Sequence, residues 1–176
     1  MRGHVAFFYD EYTDLLDHLT DFVKTGLEGN EIAIVVGTEQ HRHDLKERLL
    51  AGHHIGLSAA TDANYFALDA ATLLSLFMVH GWPDERLFRQ VINQIIGSIA
   101  QGRVLRIYGE IVAVLSGGGN PLAAIQLERS WNRFLALNPV CLLECGYPAS
   151  GFRGGQNEYL LARVCDSHSS AVNKPH

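Results

Sequence analysis

Apolar residues along the first part of the chain follow two alternating patterns. Residues 4–9 and 32–36 are short, almost uninterrupted apolar runs, a pattern typical of strands that are covered on both faces. Between them, residues 13–27 repeat apolar side chains at helical spacing, and Gly29 with Asn30 supplies a C-terminal stop. The opening therefore predicts a strand, a helix and a second strand.

The same alternation continues along most of the chain. Further strands are predicted at 65–68, 104–108 and 140–145, and helices at 40–50, 83–101, 111–115 and 121–137. Two segments are ambiguous between helix and strand, 70–79, where a helix is favoured, and 158–165. About five strands separated by helices predict an α/β fold of three layers, with a mostly parallel sheet and helices on both faces.

Length and composition predict one globular domain over residues 1–166. The chain has 176 residues, 47% hydrophobic and 19% charged, which excludes an intrinsically disordered protein. The last residues, 167–176, are polar, and we expect a disordered tail there. No apolar run approaches the roughly 20 residues that span a bilayer, and acidic residues come too early for a signal peptide. We therefore expect a cytoplasmic protein without membrane contact.

Charge and cysteine content narrow the function classes. Fourteen basic and nineteen acidic residues give a net charge of −5, which disfavours direct nucleic-acid binding. Cys141 and Cys145 lie about four rises apart on one predicted strand, too far for a disulfide. We expect the three thiols to be reduced.

The carboxyl ends of the predicted strands collect polar and aromatic side chains. In an open parallel sheet these ends meet at one edge, where ligands bind. The candidate ligand-binding residues are Tyr9, Asp10, Glu39, Tyr108, Gly109, Glu110 and Tyr147. The alternative is that strand ends need polar turn residues, and that Glu110 only caps the helix that begins near residue 111.

Motifs for nucleotide binding are absent after the first strand. A phosphate loop needs G-x-x-x-x-G-K-[ST] there, but Asp10, Glu11 and Tyr12 follow instead, and they would repel phosphate. The glycine run 117–119 follows a helix and precedes Pro121, so a turn is favoured. No cofactor is predicted.

Metal binding and nucleophilic catalysis have weaker support. His41 and His43 are two residues apart on a predicted helix and point to different faces, so solvated or capping histidines are favoured there and at His53 and His54. Helical spacing between His43 and Glu47 leaves a metal site open as an alternative. No G-x-S-x-G motif occurs, and Cys145, late in an apolar strand, is favoured as a core residue.

Three segments together resemble a known family. They are HVAFFYDEYTDLLDHLTDFVKTGLEGNEIAIVV, RVLRIYGEIVAVLSGGGNPLAAIQLERSWNRF and CLLECGYP, and they are similar to the MEDS domain, a sensory domain of methanogens, methylotrophs and the dichloromethane-responsive regulator. The resemblance covers most of 4–148. Its matching motif positions are Tyr108, Gly109, Glu110, Tyr147 and Pro148. It implies a RecA/KaiC-like fold with a degenerate phosphate loop, and hydrocarbon derivatives as ligands.

Three function classes follow from these observations. The favoured one is a non-enzymatic sensory domain that responds to a small organic ligand and signals to a histidine kinase or a transcriptional regulator, as a monomer or a homo-oligomer. The second is a protein-interaction module without a ligand, which would use the apolar helix at 83–101 or the tail. The third is a divergent enzyme of the RecA/KaiC-like fold with Glu39 or Glu110 as general base.

Overall fold

A six-stranded parallel sheet forms the centre of the protein in a computed structural model that describes residues 3–52, 62–100, 102–152 and 158–175. Its strands are β1 (Gly3–Tyr9), β2 (Ile32–Gly37), β3 (Tyr65–Asp69), β6 (Leu105–Gly109), β7 (Cys141–Pro148) and β8 (Ser170–Val172). They lie in the order β3-β2-β6-β7-β1-β8. Two further strands of the described ranges, β4 (Met78–Val79) and β5 (Trp82–Pro83), form a separate antiparallel hairpin.

Helices cover both faces of the sheet, so the predicted three-layer α/β fold is confirmed. The first face carries α1 (Tyr12–Glu28) and α2 (Glu39–Ala51), which bury their leucines against it. Within the described residues, the second face carries five helices, which share a separate apolar core. These are α3 (Ala70–Ser75), α4 (Glu85–Ile99), α5 (Ile111–Gly117), α6 (Pro121–Leu137) and α7 (Glu158–Ser167).

Neighbouring residues of a strand face opposite layers, and this alternation fixes the layer that each side chain joins. In β1, Phe7 lies in the core beneath α1 and α2, whereas Phe8 lies in the core beneath the other helices. In β6, Tyr108 shares the layer of Phe7, and in β7, Tyr147 shares that of Phe8. The aromatic residues at the strand ends are therefore divided between two layers.

The segment at 70–79 differs from the helix that its apolar residues favoured. It forms α3 and then turns at His80 and Gly81, both with positive φ, into the hairpin of β4 and β5. Pro83 consequently lies in a strand, and α4 begins two residues later. Asp84 caps α4, because its side chain accepts a hydrogen bond from the Leu87 amide.

The last residues also differ from the expected disordered tail. Ser170–Val172 forms β8, which extends the sheet beyond β1. Just before β8, the Ser169 amide donates to the His4 carbonyl at 2.7 Å, and the Ser169 hydroxyl donates to the same oxygen. The polar composition of the segment is consistent with its exposure at the sheet edge, since β8 is exposed along its length.

Among the described residues, none of the helices combines the length and the apolar character that crossing a membrane requires.

Candidate ligand site at the carboxyl edge of the sheet

The carboxyl ends of the parallel strands meet at one edge of the sheet. Here β2 leads into α2 on the first face, whereas its neighbour β6 leads into α5 on the second face. The chain therefore leaves the two strands in opposite directions and opens a crevice between them. Ligands of open α/β sheets bind in such crevices.

Glu110, the residue after β6, occupies this crevice with its side chain buried at 3% exposure. Its carboxylate accepts hydrogen bonds from the Thr38 amide at 3.1 Å, from His41 Nδ1 at 2.7 Å and from the Tyr108 hydroxyl at 3.2 Å. The carboxylate thus joins the end of β6 to the first turn of α2. Three donors from two elements satisfy most of its acceptor capacity.

Glu110 was alternatively expected to cap the helix that follows it, α5, but its side chain contacts the start of α2 instead. Glu110 is the N-cap residue of α5, but its side chain makes no capping hydrogen bond there. It binds instead at the start of α2, where Thr38 is the N-cap residue and its side chain accepts from the His41 amide. The carboxylate therefore lies near the positive end of a second helix.

Two tyrosines next to Glu110 are held in their neutral form. Burial raises the pKa of Tyr108 well above its usual value, and the nearby Glu110 charge raises it further. Burial and then Glu110 raise the pKa of Tyr9 in the same way. Tyr108 also explains Gly146 on β7, since a Cβ at that position would collide with the Tyr108 hydroxyl.

The structure brings Tyr9, Tyr108 and Glu110 together, but it separates the other candidates from them. Gly109 is buried as the last residue of β6. Asp10 is exposed in the turn between β1 and α1, and Glu39 is exposed as the first residue of α2. Tyr147 lies on the opposite face of the sheet. The seven residues therefore do not form one rim.

A cleft opens on the Tyr147 side of the same edge. It has a volume of about 330 Å³ and lies between the end of β7, the end of α5 and the starts of α6 and α7. Its lining is mainly apolar and includes Ala113, Pro121, Tyr147, Pro148, Phe152 and Leu160. Ser116 of α5 also lines the cleft and carries a hydroxyl group. This volume lies within the range of small-molecule sites.

The Tyr147 hydroxyl points away from solvent into a buried polar group below the cleft. It donates a hydrogen bond to Glu128 of α6, which is 1% exposed. Burial raises the pKa of Glu128 to about 8, although the Tyr147 hydrogen bond acts in the opposite direction. The cleft therefore receives the ring of Tyr147, and the hydroxyl is engaged elsewhere.

Sequence reasoning missed some of the residues that matter here. His41 was favoured as a solvated or capping residue, but its ring binds Glu110, and its position three residues after the N-cap Thr38 was a usable signal. His43 is exposed, and His53 and His54 lie outside the described residues. Glu128 was also missed, although its helical spacing from Ala124 and Trp131 places a carboxylate on the apolar face of α6.

The sequence of this chain matches the model of a known protein family. A sequence model described as "MEthanogen/methylotroph, DcmR Sensory domain", abbreviated MEDS, matches residues 3–169. The chain belongs to the MEDS family. No curated protein and no solved structure matches this MEDS domain. The match includes Tyr108, Glu110, Tyr147 and Pro148, so both the crevice and the cleft lie within the family's sensory domain.

Proposed function

We propose that this MEDS domain is a non-enzymatic sensor that binds a small organic molecule in the cleft beside Tyr147. The observation that carries the proposal is the apolar lining of the cleft at the carboxyl edge of a parallel sheet. The crevice at Glu110 is a poorer candidate, because the carboxylate is already occupied by donors of the protein. A RecA/KaiC-like ancestry without a phosphate loop, as the family resemblance implies, fits this assignment.

A ligand in the cleft would act on a surface that a partner can reach. Pro121 and Gly119 line the cleft, and between them the Asn120 side chain donates to the Gly81 carbonyl in the turn of the β4–β5 hairpin. The hairpin exposes apolar side chains, since Val79 is 41% and Trp82 is 46% exposed. Ligand binding can signal only if it favours one of two arrangements. The hairpin and the start of α6 supply the element that would shift.

The partner in this proposal is a histidine kinase or a transcriptional regulator, as the family resemblance implies. An exposed tryptophan among aliphatic residues is typical of a surface that contacts protein. The net charge of −5 makes direct contact with nucleic acid unfavourable, so the regulator would contribute its own DNA-binding region.

A glycine substitution tests the cleft without disturbing the core. Gly117, the last residue of α5, lines the cleft, and a Cβ there would meet nothing within 4 Å. We expect Gly117→Leu to fill the cleft, retain the fold and weaken binding of small organic probes by about tenfold or more. NMR titration of the labelled protein with n-butanol, phenol and dichloromethane measures this, with shifts expected at Ala113, Ser116 and Phe152.

Gly97→Leu is the matched control. Gly97 is also an exposed glycine of a helix, and a Cβ added there would likewise meet nothing within 4 Å, but it lies on α4 outside the cleft. Both variants remove a helical glycine and should gain similar stability. Probe binding that persists in Gly117→Leu, or that falls equally in both variants, would rule out the cleft as the site.

A further inference from the structure

Four side chains that can bind metals converge below the second face of the sheet. They come from three elements and from the segment that follows α7. His4 lies on β1, Cys145 on β7, Glu128 on α6 and His168 just after α7. One ligand atom from each lies within 4.8 Å of all the others. His4, Glu128 and Cys145 are buried, and the side chain of His168 is 0% exposed.

Two polar atoms in this group are buried without a hydrogen-bond partner. They are Oε2 of Glu128 and Nε2 of His168. Leaving such an atom unpaired is unfavourable, so native cores seldom contain two of them within one group of side chains. Both atoms can accept a hydrogen bond or bind a cation, and both belong to side chains of this group.

Hydrogen bonds outside the group fix the orientation of both histidines. His168 Nδ1 donates to the Val164 carbonyl at 2.6 Å, which leaves the lone pair of Nε2 free. The Asn132 amide nitrogen donates to the Ser167 carbonyl, so its Oδ1 is the atom that faces His4 Nδ1 at 3.0 Å. His4 Nε2 is therefore also without a proton. Metal-binding histidines are held in this way by outer hydrogen bonds.

The two rings also lie close enough to share one ion. Their centroids are 3.9 Å apart, and His4 Nε2 lies 3.2 Å from Oε2 of Glu128. Neutral imidazole is the form that binds a metal.

We propose that His4, Glu128, Cys145 and His168 form a structural binding site for one Zn²⁺ ion. Zinc takes four protein ligands in a tetrahedron, with nitrogen at about 2.0–2.1 Å and sulfur at about 2.3 Å, so neighbouring ligand atoms lie about 3.3–3.7 Å apart. His4 Nε2 is 3.3 Å from Cys145 Sγ and 3.2 Å from Oε2 of Glu128, the oxygen without a partner, and these distances are close to that spacing. His168 Nε2 is 3.6 Å from the other oxygen of Glu128. Binding would release the thiol proton and the Glu128 proton to solvent.

A nucleophilic role for the same cysteine has less support. Cys145, His4 and Asn132 make successive contacts in the order of a thiol, a base and an orienting amide. However, Cys145 is 1% exposed, and burial followed by the nearby carboxyl groups raises the pKa of its thiol. The cleft lining, as far as the described residues define it, does not include Cys145. A reacting substrate would have no access.

The test uses the full chain, reduced and freed of metal with a chelator, and titrated with Co²⁺ and then Zn²⁺. We expect one Co²⁺ per chain, the intense visible bands of a tetrahedral site and a near-ultraviolet band from thiolate to cobalt. Zn²⁺ should displace it and raise the melting temperature. Cys145→Ser should lose the thiolate band and bind at least about tenfold more weakly, given that even outer-shell changes cost 10–100-fold.

Two controls separate this site from other ligands on the chain. Cys141→Ser alters a buried cysteine on the same strand and the same face, outside the group, and should keep the cobalt spectrum. His43→Ala alters an exposed histidine of α2 and should keep it as well. A wild-type protein without the cobalt spectrum, or a Cys145→Ser protein with an unchanged one, would overturn the proposal.

X-ray absorption of the wild-type zinc protein gives an answer even if Cys145→Ser fails to fold. We expect one sulfur and three nitrogen or oxygen ligands around zinc. A coordination shell without sulfur would exclude the site. The cleft experiment uses organic probes and different residues, so either proposal can fail without the other.

Discussion

Glu110 shows how one buried carboxylate can hold two elements at the edge of the sheet. Its oxygens face the Thr38 amide and His41 from α2 and the Tyr108 hydroxyl from β6. All of these partners donate hydrogen bonds, so the position favours a side chain that only accepts them. A carboxylate meets this condition, whereas an amide of the same shape brings its own N–H donors.

We therefore expect Glu110→Gln to lower the free energy of unfolding by about 1–3 kcal/mol, since its NH₂ group would face a buried donor. A contribution from the helix dipole alone would amount to about 0.3–1 kcal/mol. Urea denaturation followed by circular dichroism distinguishes the two values. Glu39→Gln changes an exposed residue of the first turn of α2 and is the matched control, because it should lose only the dipole contribution of at most about 1 kcal/mol.

Ligand binding gives a second comparison for the same variant. If the cleft is the sensor site, Glu110→Gln should still bind the organic probes, because Glu110 is not part of the cleft lining. Loss of probe binding with unchanged stability would instead move the sensor site to the crevice between β2 and β6.

At the scale of elements, the strands with continuous apolar runs were predictable. Two-sided burial requires such runs, and β1, β2, β6 and β7 lie within one to three residues of their predicted bounds. α6 has its predicted bounds, because Pro121 suits a first turn and Asn120 caps it. The β4–β5 hairpin was not predictable, because a short apolar segment fits helix and strand equally well.

β8 could not be predicted for a different reason. Three exposed residues, Ser170–Val172, carry no periodic pattern, and their strand pairs with β1 at the edge of the sheet. The contact that fixes it lies outside the strand, where Ser169 binds the backbone of His4. Partners 165 positions apart in the chain leave no local signal.

We expect deletion of residues 168–176 to destabilise the protein, in contrast to the neutral effect that a disordered tail would give. The deletion removes β8, both hydrogen bonds of Ser169 to the His4 carbonyl and the buried ring of His168. A loss of about 2–4 kcal/mol would lower the melting temperature by roughly 5–15 °C. Calorimetry of the chelator-treated protein measures it without any contribution from a metal.

A shorter deletion, 173–176, is its control. It leaves β8 in place and should change the melting temperature by less than about 2 °C, a shift within the range of an ordinary surface change. Equal melting temperatures for all three proteins would show that the terminal strand adds nothing to the fold.

At the scale of the whole molecule, the sequence predicted which edge of the sheet the candidate residues share, but not which face of the sheet each side chain joins. Tyr9, Tyr108 and Tyr147 each lie within the last two residues of a strand. The register nevertheless places Tyr147 on the face opposite to the other two. The group of His4, Glu128, Cys145 and His168 was beyond sequence reasoning altogether. Its members have no motif spacing, and only the parallel pairing of β1 with β7 and the return of the chain after α7 bring them together.

The turn between the first strand and the first helix bears on whether the molecule can bind a nucleotide. In phosphate-binding α/β proteins a glycine-rich loop joins the first strand to its helix, and its amides surround the phosphates. Here only Asp10 and Glu11 separate β1 from α1, and Glu11 is the N-cap residue. Two residues are too few for such a loop, and both carry the same charge as a phosphate.

We therefore expect no hydrolysis of ATP or GTP and no binding of either magnesium nucleotide at millimolar concentration, because the site lacks both the amide nest and the lysine that phosphate requires. Isothermal calorimetry with Mg-ATP, alongside a phosphate-release assay, measures both. The zinc-loaded protein should give the same result, since its proposed metal is held by four protein ligands and is not free to bind a phosphate. Micromolar affinity for Mg-ATP would contradict this expectation and would favour an enzyme in which Glu110 acts as the general base.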